Sequence, residues 1–381
     1  MGFGFASIFG YIAQRIHLSP ILGYLIAGYL IGPFSPGYSA DVKIAEQLAE
    51  IGVVLMMFGV GLHFKWQDLL RTCAISVPGA IIQTFVATTV GALLLHYLGW
   101  TWEASIIFGL ATGVASTVVL VRVLSDNHLL HTTEGHIAVG WLIVEDLITI
   151  MALLLIPFLG TSLTDSQSPF LTIGTIFSLA LIKFIVLTAI MFTLGKRIVA
   201  YLLSKVMITE SHELFTLSIL AITFAIAVGS GLLLGTSIVL GAFVAGIVIG
   251  QTPMRQKVSL NAISLKDAFS VIFFLSIGML FNPAAVIANF GLFLAILGII
   301  LIVKPLTAFL ITVGFKYPSR TAIVIALALA QIGEFSFILG EEANKYKILP
   351  DDGYDIIIAC AIFSISINPL LFKFLPKKQS G

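Results

Sequence analysis

Charged side chains are scarce in this sequence. Only 10% of its 381 residues are Asp, Glu, Lys or Arg, whereas soluble domains contain roughly 25%. Hydrophobic residues make up 59% of the chain and the mean hydropathy is +1.09. This composition excludes a soluble globular protein and indicates an integral membrane protein. The apolar runs are continuous rather than alternating, which favours a bundle of helices over a β-barrel.

Cysteine and basic tracts are also scarce, and each absence excludes a class of protein. The two cysteines, Cys73 and Cys360, fall in apolar segments, so the sequence implies no disulfide framework. The net charge is +1 and no basic run is present, so nothing predicts a nucleic-acid partner. The N-terminus has no basic region before its apolar run, so we expect no removable signal peptide.

Long apolar segments make up most of the sequence. We predict an all-α polytopic membrane protein with about thirteen transmembrane helices. The segments are residues 2–16, 20–33, 43–62, 73–98, 103–125, 134–158, 170–194, 211–229, 233–250, 264–281, 286–313, 320–341 and 354–375.

The basic residues predict the orientation of these segments. If the N-terminus is outside, most of the 20 Lys and Arg residues fall on the cytoplasmic side. The positive-inside rule therefore predicts an outside N-terminus and a cytoplasmic C-terminus. The predicted outer loop 341–352 is acidic on balance, which agrees. We expect the protein in a bacterial inner membrane.

Two of the apolar segments are interrupted at similar places. The fifth is crowded with Gly, Ser and Thr from Thr112 to Thr117, and the twelfth is interrupted from Ala330 to Glu334. The two segments are seven spans apart, so they run in opposite directions. This predicts inverted repeats, segments one to six against eight to thirteen, with two crossing broken helices. Such paired breaks indicate a binding site near the membrane midplane of a secondary transporter.

The sixth segment carries two adjacent acids, Glu145 and Asp146, near its middle. A charge at this depth costs about 3 kcal/mol on insertion scales, so it indicates a functional site. Neighbouring helical residues point about 100° apart, so one acid can hold an ion while the other pairs elsewhere. The predicted partner is Lys304 in the eleventh segment, where Pro305 loosens the backbone.

Polar residues at the two breaks complete the predicted site, with alternatives left open for some of them. Glu145 and Asp146 could instead form a structural network, Lys304 could be structural or carry a proton, and Glu334 could cap its helix. His131 and His136 lack the spacing of a zinc site, so we predict no metal beyond the transported cation. The candidates at the breaks are Thr112, Ser116, Thr117, Gln331 and Glu334.

Several motifs together resemble those of the monovalent cation:proton antiporter superfamily, and of its Kef-type potassium:proton branch in particular. The resemblance covers essentially the whole chain. The motifs are residues 19–33 (SPILGYLIAGYLIGP), 57–62 (MFGVGL), 115–119 (ASTVV), 145–146 (ED), 274–279 (FLSIGM) and 331–335 (QIGEF).

The resemblance implies a homodimer in which a core moves like an elevator against fixed helices. It implies scaffold or dimer helices in residues 1–72 and 210–284, core helices in 73–158 and 285–381, and a connector in 159–209. It also implies that Asp146 binds the cation and the proton, with Ser116 and Thr117 at the unwound crossing.

The sequence departs from the Kef pattern at two points. Kef-type proteins have Gln before the aspartate, electroneutral sodium exchangers have Asn and electrogenic ones have Asp, whereas this chain has Glu145. The choice of potassium or sodium and the stoichiometry therefore stay open. Kef-type proteins also continue into a cytoplasmic domain that binds nucleotide and glutathione adducts. This chain stops at Gly381, so we expect no cofactor within it, and a separate regulatory cytoplasmic domain or subunit stays open as a partner.

These observations predict a secondary antiporter that exchanges a monovalent cation for protons by alternating access. The alternative is a gated cation-conducting pore on the same scaffold, and a symporter or sensor is a third possibility. We expect no enzyme, because the spans contain no nucleophile paired with a base.

Overall fold

The computed structural model describes residues 1–16, 18–37, 39–63, 66–162, 178, 182–183, 185–234, 238–350 and 352–374. All regular structure in these residues is helical, and none of them lies in a strand. The predicted all-α fold is therefore confirmed. The helices are α1 (Gly2–Arg15), α2 (Pro20–Leu30), α3 (Val42–His63), α4 (Trp66–Tyr97), α5 (Trp102–Gly113), α6 (Thr117–Asp126), α7 (Thr133–Ser162), α8 (Lys196–Met207), α9 (His212–Leu234), α10 (Ile238–Gly250), α11 (Arg255–Leu280), α12 (Pro283–Ala288), α13 (Phe290–Gly298), α14 (Lys304–Gly314), α15 (Ser319–Leu329), α16 (Glu334–Lys345) and α17 (Gly353–Leu371).

The number of long spans is lower than the predicted thirteen. By length and composition, the described residues contain eight spans, or up to ten when each of two bent pairs counts as one. The shortfall arises at short helices, because α1, α2 and α10 have only 14, 11 and 13 residues. About half of the predicted seventh segment, residues 170–177, 179–181 and 184, lies outside the described residues. A window of apolar residues does not distinguish a short packed helix from a full span.

The helix at the end of the predicted seventh segment is longer than the apolar segment itself. The apolar segment ends at residue 194, but the chain is helical from residue 185 through a π-helical stretch, Met191–Gly195, to the end of α8. Lys196, Arg197 and Lys205 lie on this helix. A helix can keep such residues at its polar end, so charge alone did not mark the helix end.

The chain divides into two compact units. The first contains residues 1–39, 66–152 and 277–381, and therefore both broken helices. The second contains residues 40–65 and 153–276. In the second unit, α3 and α10 approach closely at glycines: a Cβ on Gly61 would lie 2.9 Å from the Ile247 nitrogen, and one on Gly250 would lie 2.9 Å from the Leu62 oxygen. Glycines at these positions therefore allow the two helices to pack closely.

The first break separates α5 from α6. Helix α5 ends at Gly113, and Val114 adopts an extended conformation (φ −98°, ψ 134°). Helix α6 restarts at Thr117 with Ser116 as its N-cap, whose Oγ accepts a hydrogen bond from the Val119 amide at 3.2 Å. A serine at this position satisfies one of the amides that a helix start leaves free.

The second break separates α15 from α16. Residues 330–333 interrupt the helix, and the two halves are bent by 40°. The predicted pair of broken helices is therefore confirmed, and so is the inverted repeat, in which α4 to α7 correspond to α13 to α17.

Candidate functional site

The two breaks cross each other in the interior of the first unit. Gly333 faces Ser116 so closely that a Cβ on Gly333 would lie 2.7 Å from Ser116 Oγ and 2.8 Å from its Cα. Ser116, Gln331 and Glu334 are all buried. Only glycine at position 333 permits this approach, so the crossing requires it.

Hydrogen bonds join the two broken helices directly. The Ser116 amide donates to Gln331 Oε1 at 2.9 Å, and Gln331 Nε2 donates back to the Ser116 carbonyl at 3.0 Å. Ser116 Oγ donates to Glu334 Oε2 at 2.7 Å. Ser336 Oγ donates to the Ala111 carbonyl. Ser116 of the first break therefore makes three hydrogen bonds to side chains of the second break.

The helix starts at the crossing need hydrogen-bond acceptors, because they expose amide groups and a partial positive charge. Glu145 Oε2 accepts a hydrogen bond from the Ala115 amide at 2.8 Å. In the second repeat, Ser364 Oγ accepts one from the Ile332 amide at 3.3 Å. The side chain that accepts from the amide is therefore an acid, Glu145, in the first repeat and a neutral residue, Ser364, in the second.

The helix ends need donors, because they expose carbonyl groups and a partial negative charge. Gln83 Nε2 donates to the Gly113 carbonyl at 3.2 Å. Lys304 Nζ donates to the Gln331 carbonyl at 3.0 Å. Asn368 Nδ2 donates to the Leu327 carbonyl at 2.7 Å. The first repeat therefore uses the neutral Gln83, whereas the second uses the charged Lys304 as well as the neutral Asn368.

Lys304 follows a stretch of π-helix, Ile299–Val303, and is fully buried. Pro305, which follows it, cannot donate a helical hydrogen bond, and π-helical turns are frequent at functional sites. The ammonium group interacts electrostatically with Glu145. Of the two acids predicted as partners of Lys304, it is therefore Glu145 that interacts with it.

The two acids of α7 have different partners, as their spacing on the helix requires. Glu145 points at the first break, whereas Asp146 Oδ2 accepts a hydrogen bond from Thr117 Oγ1 at 3.4 Å. Asp146 also experiences the charges of Glu334 and Glu145.

One oxygen of each acid, Glu145 Oε1 and Asp146 Oδ1, is buried without a hydrogen-bond partner in the described part of the chain. Buried carboxylate oxygens require a proton, a cation or a donor. The crossing can therefore hold a small positively charged ligand.

Seven of the eight predicted site residues meet at this crossing. They are Ser116, Thr117, Glu145, Asp146, Lys304, Gln331 and Glu334. Thr112 is buried on α5, but its hydroxyl donates to the Gly109 carbonyl at 2.8 Å, within its own helix, rather than to a residue of the crossing.

Other residues of the crossing were missed from the sequence. Gln83, Trp141, Ser364 and Asn368 are all 0% exposed, and none of them carries a charge. A lone Gln or Asn within a span was the available signal for two of them, because a buried amide needs partners.

The crossing of broken helices with buried acids defines a class of membrane transporter built from inverted repeats. Residues 3–378 match the family described as "Sodium/hydrogen exchanger, transmembrane". The chain belongs to this sodium/hydrogen exchanger family.

Relatives and a solved structure agree with the family. YbaL of Escherichia coli (strain K12), whose name describes a cation/proton antiporter, is 44% identical over 376 residues, which cover 99% of this chain and 67% of YbaL. K(+) efflux antiporter 4 of Arabidopsis thaliana is 28% identical over 93% of this chain and 60% of its own length.

The solved structure of the sodium proton antiporter MjNhaP1 from Methanocaldococcus jannaschii has the same fold. Its TM-score is 0.70 at 19% identity, over 99% of this chain and 97% of that one. The chain thus spans the whole solved neighbour but only about two thirds or less of the two relatives above.

Proposed function

We propose that this protein exchanges a monovalent cation for protons across a membrane. One observation carries the proposal: Glu145 Oε1 and Asp146 Oδ1 are buried at the crossing and have no hydrogen-bond partner among the described residues. A proton or a cation can satisfy such an oxygen, and the two compete for it. This competition is the minimal requirement for exchange. The names of the relatives support the same function.

Asp146 is the shared site in this proposal. Among the described residues its Oδ1 has no hydrogen-bond partner, and its Oδ2 accepts from the Thr117 hydroxyl through a long bond of 3.4 Å. Thr117 can turn that hydroxyl so that its oxygen faces a cation. Binding a cation releases the proton of Asp146, and protonation releases the cation. Ser116 supplies hydroxyl or backbone oxygen at the same break.

Glu145 and Lys304 tune this site rather than bind the cation alone. Lys304 compensates the charge of Glu145 and holds the end of α15, while Glu145 holds the start of α6. Glu334 adds a further negative charge near Asp146.

We also propose that the crossing moves as one body, in an elevator-type alternating access. The bonds from Gln331 and Glu334 to Ser116 support this, because separating the broken helices would leave buried polar groups unpaired. We expect the working protein to be a homodimer in a cytoplasmic membrane, with the N-terminus outside. The name of the plant relative suggests potassium and that of the solved neighbour suggests sodium, so both are candidates.

The test is proton flux into proteoliposomes after addition of potassium, sodium, lithium or choline, with and without a membrane potential. We expect flux with potassium or sodium and none with choline. Asp146→Asn should abolish the flux while the protein stays folded. The matched control is Asp126→Asn, which removes an exposed acid on α6 that pairs with Arg122.

Two results would contradict the proposal. Full cation-driven proton flux in Asp146→Asn would exclude Asp146 as the shared site. Cation currents that grow with voltage and carry no proton counterflow would identify a gated pore instead. Voltage-sensitive coupled flux would indicate unequal numbers of cations and protons.

A further inference from the structure

Asn368 joins α17 to the last turn of α15. Its side chain is 0% exposed, and its Nδ2 donates to the Leu327 carbonyl at 2.7 Å. This bond fixes the direction of the amide group. The oxygen of that group, Oδ1, is buried and has no hydrogen-bond partner among the described residues. A buried amide oxygen without a donor is costly, so it indicates a ligand that these residues do not supply.

The first repeat differs at the matching position. Glu145 and Ser364 are equivalent, because each accepts a hydrogen bond from an amide of a break. One helical turn after Glu145 lies Thr149, whose hydroxyl donates to the Glu145 carbonyl at 2.9 Å within α7. One helical turn after Ser364 lies Asn368, which reaches across to α15 instead. The unsatisfied oxygen is therefore a feature of the second repeat and does not follow from the shared fold.

The next residue of α17 frees a second oxygen. Pro369 follows Asn368 inside the helix. Proline has no amide hydrogen, so the Ile365 carbonyl loses the donor that a continuous helix would give it. Two oxygens of this turn of α17 thus lack a usual donor, one from a side chain and one from the backbone.

The end of α15 adds partial negative charge beside Asn368. A helix end exposes carbonyl groups, and its dipole attracts positive charge. The Ile332 amide donates to Ser364 Oγ, whereas a continuous helix would direct it to the Ala328 carbonyl. Lys304 donates to the carbonyl of Gln331, which lies beyond the end of the helix. The seam between α15 and α17 is therefore rich in acceptors.

We propose that Asn368 and the adjacent carbonyl oxygens of α15 and α17 form a second binding site for a monovalent cation. A water molecule donates two hydrogen bonds at most, whereas a cation attracts every oxygen around it. Carbonyl oxygens can replace the hydration shell of such an ion. The site contains no acid, so it favours a monovalent ion over a divalent one, which requires carboxylates.

This site is separate from the one at Asp146. Asn368 lies in the last turn of α17, between the crossing and the predicted cytoplasmic end of that helix. The identity of the cation rests on the proposed antiport, because the same ion would occupy both sites. The existence of the site does not, since it depends only on the oxygens of the second repeat.

Binding of thallium(I) tests the proposal. This ion resembles potassium in charge and size and can be followed as a radioactive tracer. Purified Asp146→Asn protein, which lacks the charge of the proposed transport site, should still bind thallium(I) saturably. Potassium should compete with it and choline should not. Adding Asn368→Leu should remove this binding, because the amide oxygen is lost. Absence of saturable binding in Asp146→Asn, or its persistence after Asn368→Leu, would overturn the proposal.

The matched control is Asn261→Leu in the same background. The Asn261 side chain on α11 also donates to a carbonyl, that of Lys257 at 2.8 Å, but within its own helix. This variant should keep the binding of thallium(I). Equal loss of binding in Asn261→Leu and Asn368→Leu would mean that Asn368 has no specific role.

A second measurement needs no substitution, so it does not depend on the folding of a variant. Crystals of the wild-type protein grown with thallium(I) should show anomalous scattering from an ion in contact with Asn368 Oδ1. A water molecule gives no such signal, and a missing peak at this oxygen would exclude the site. A peak at Asn368 with none at Asp146 would contradict the proposed transport site while the second site stands. A peak at Asp146 alone would have the opposite meaning.

Discussion

Glu145 and Lys304 bring opposite charges into one buried crossing, and each also holds a backbone group of a different break. Glu145 accepts from the Ala115 amide, and Lys304 donates to the Gln331 carbonyl. The negative charge therefore supports a helix start and the positive charge a helix end, as the helix dipole favours. The two repeats differ in charge at matching places, and the difference creates an interacting pair.

We expect Glu145→Gln and Lys304→Gln each to destabilise the protein by about 3 kcal/mol, because each leaves the other charge buried and uncompensated. The double variant should be destabilised by less than the sum of the two. Thermal unfolding in detergent of the wild type, both single variants and the double variant measures this coupling.

The matched control is the ion pair of half-buried Arg122 and exposed Asp126 on α6, at 3.8 Å. Removing either residue should change stability by less than about 1 kcal/mol. Strict additivity of Glu145→Gln and Lys304→Gln would show that the two charges do not act on each other.

At the residue scale, the sequence predicts the acids better than their partners. Glu145 and Asp146 are visible because two charges interrupt a long apolar run. Gln83 and Asn368 are less visible, because an uncharged amide is a weaker signal than a charge in an apolar segment and its partner lies on a distant segment. Thr112 illustrates the opposite error, since a hydroxyl in a predicted break can satisfy itself within its own helix.

At the scale of elements, the two breaks depend on each other. Ser116 caps α6 and also receives three side-chain contacts from the second break. Sequence analysis predicts both breaks from clusters of small and polar residues in apolar segments. It does not predict that α8 directly continues the helical residues 185–195. Basic residues such as Lys196 and Arg197 are typical of the end of a span, but here they lie within a continuous helix.

Gly333→Ala tests the closeness of the crossing. Its Cβ would overlap Ser116, including the backbone Cα at 2.8 Å, so the two breaks must separate. We expect loss of cation-driven proton flux and a destabilisation of about 1 to 3 kcal/mol, the usual cost of overpacking. Flux in proteoliposomes and thermal unfolding measure the two effects.

Gly298→Ala is the control for that change. Gly298 is also a helical glycine of the first unit, but nothing lies within 4 Å of an added Cβ. This variant should keep its flux and be equally or slightly more stable, since Ala favours the helix. Wild-type flux in Gly333→Ala would mean that the breaks do not need this contact.

At the scale of the whole molecule, the distribution of Lys and Arg predicts the orientation in the membrane. The turn between α4 and α5 should face outside, and the turn after α8 should face the cytoplasm. Tyr97 and Ile208 are suitable reporters, because they are 88% and 79% exposed in these two turns. Both native cysteines must first be replaced, by Cys73→Ser and Cys360→Ala.

In that background, a membrane-impermeant maleimide should label Tyr97→Cys in intact cells. It should label Ile208→Cys only after the membrane is permeabilised. The opposite pattern would reverse the orientation and would mean that the basic residues do not control it. Asp126 and Arg320, at the end of α6 and the start of α15, lie on the same predicted side as Ile208. The measurement therefore identifies the side of the membrane that these two helix termini face, and the liposome assays must be read with that side identified.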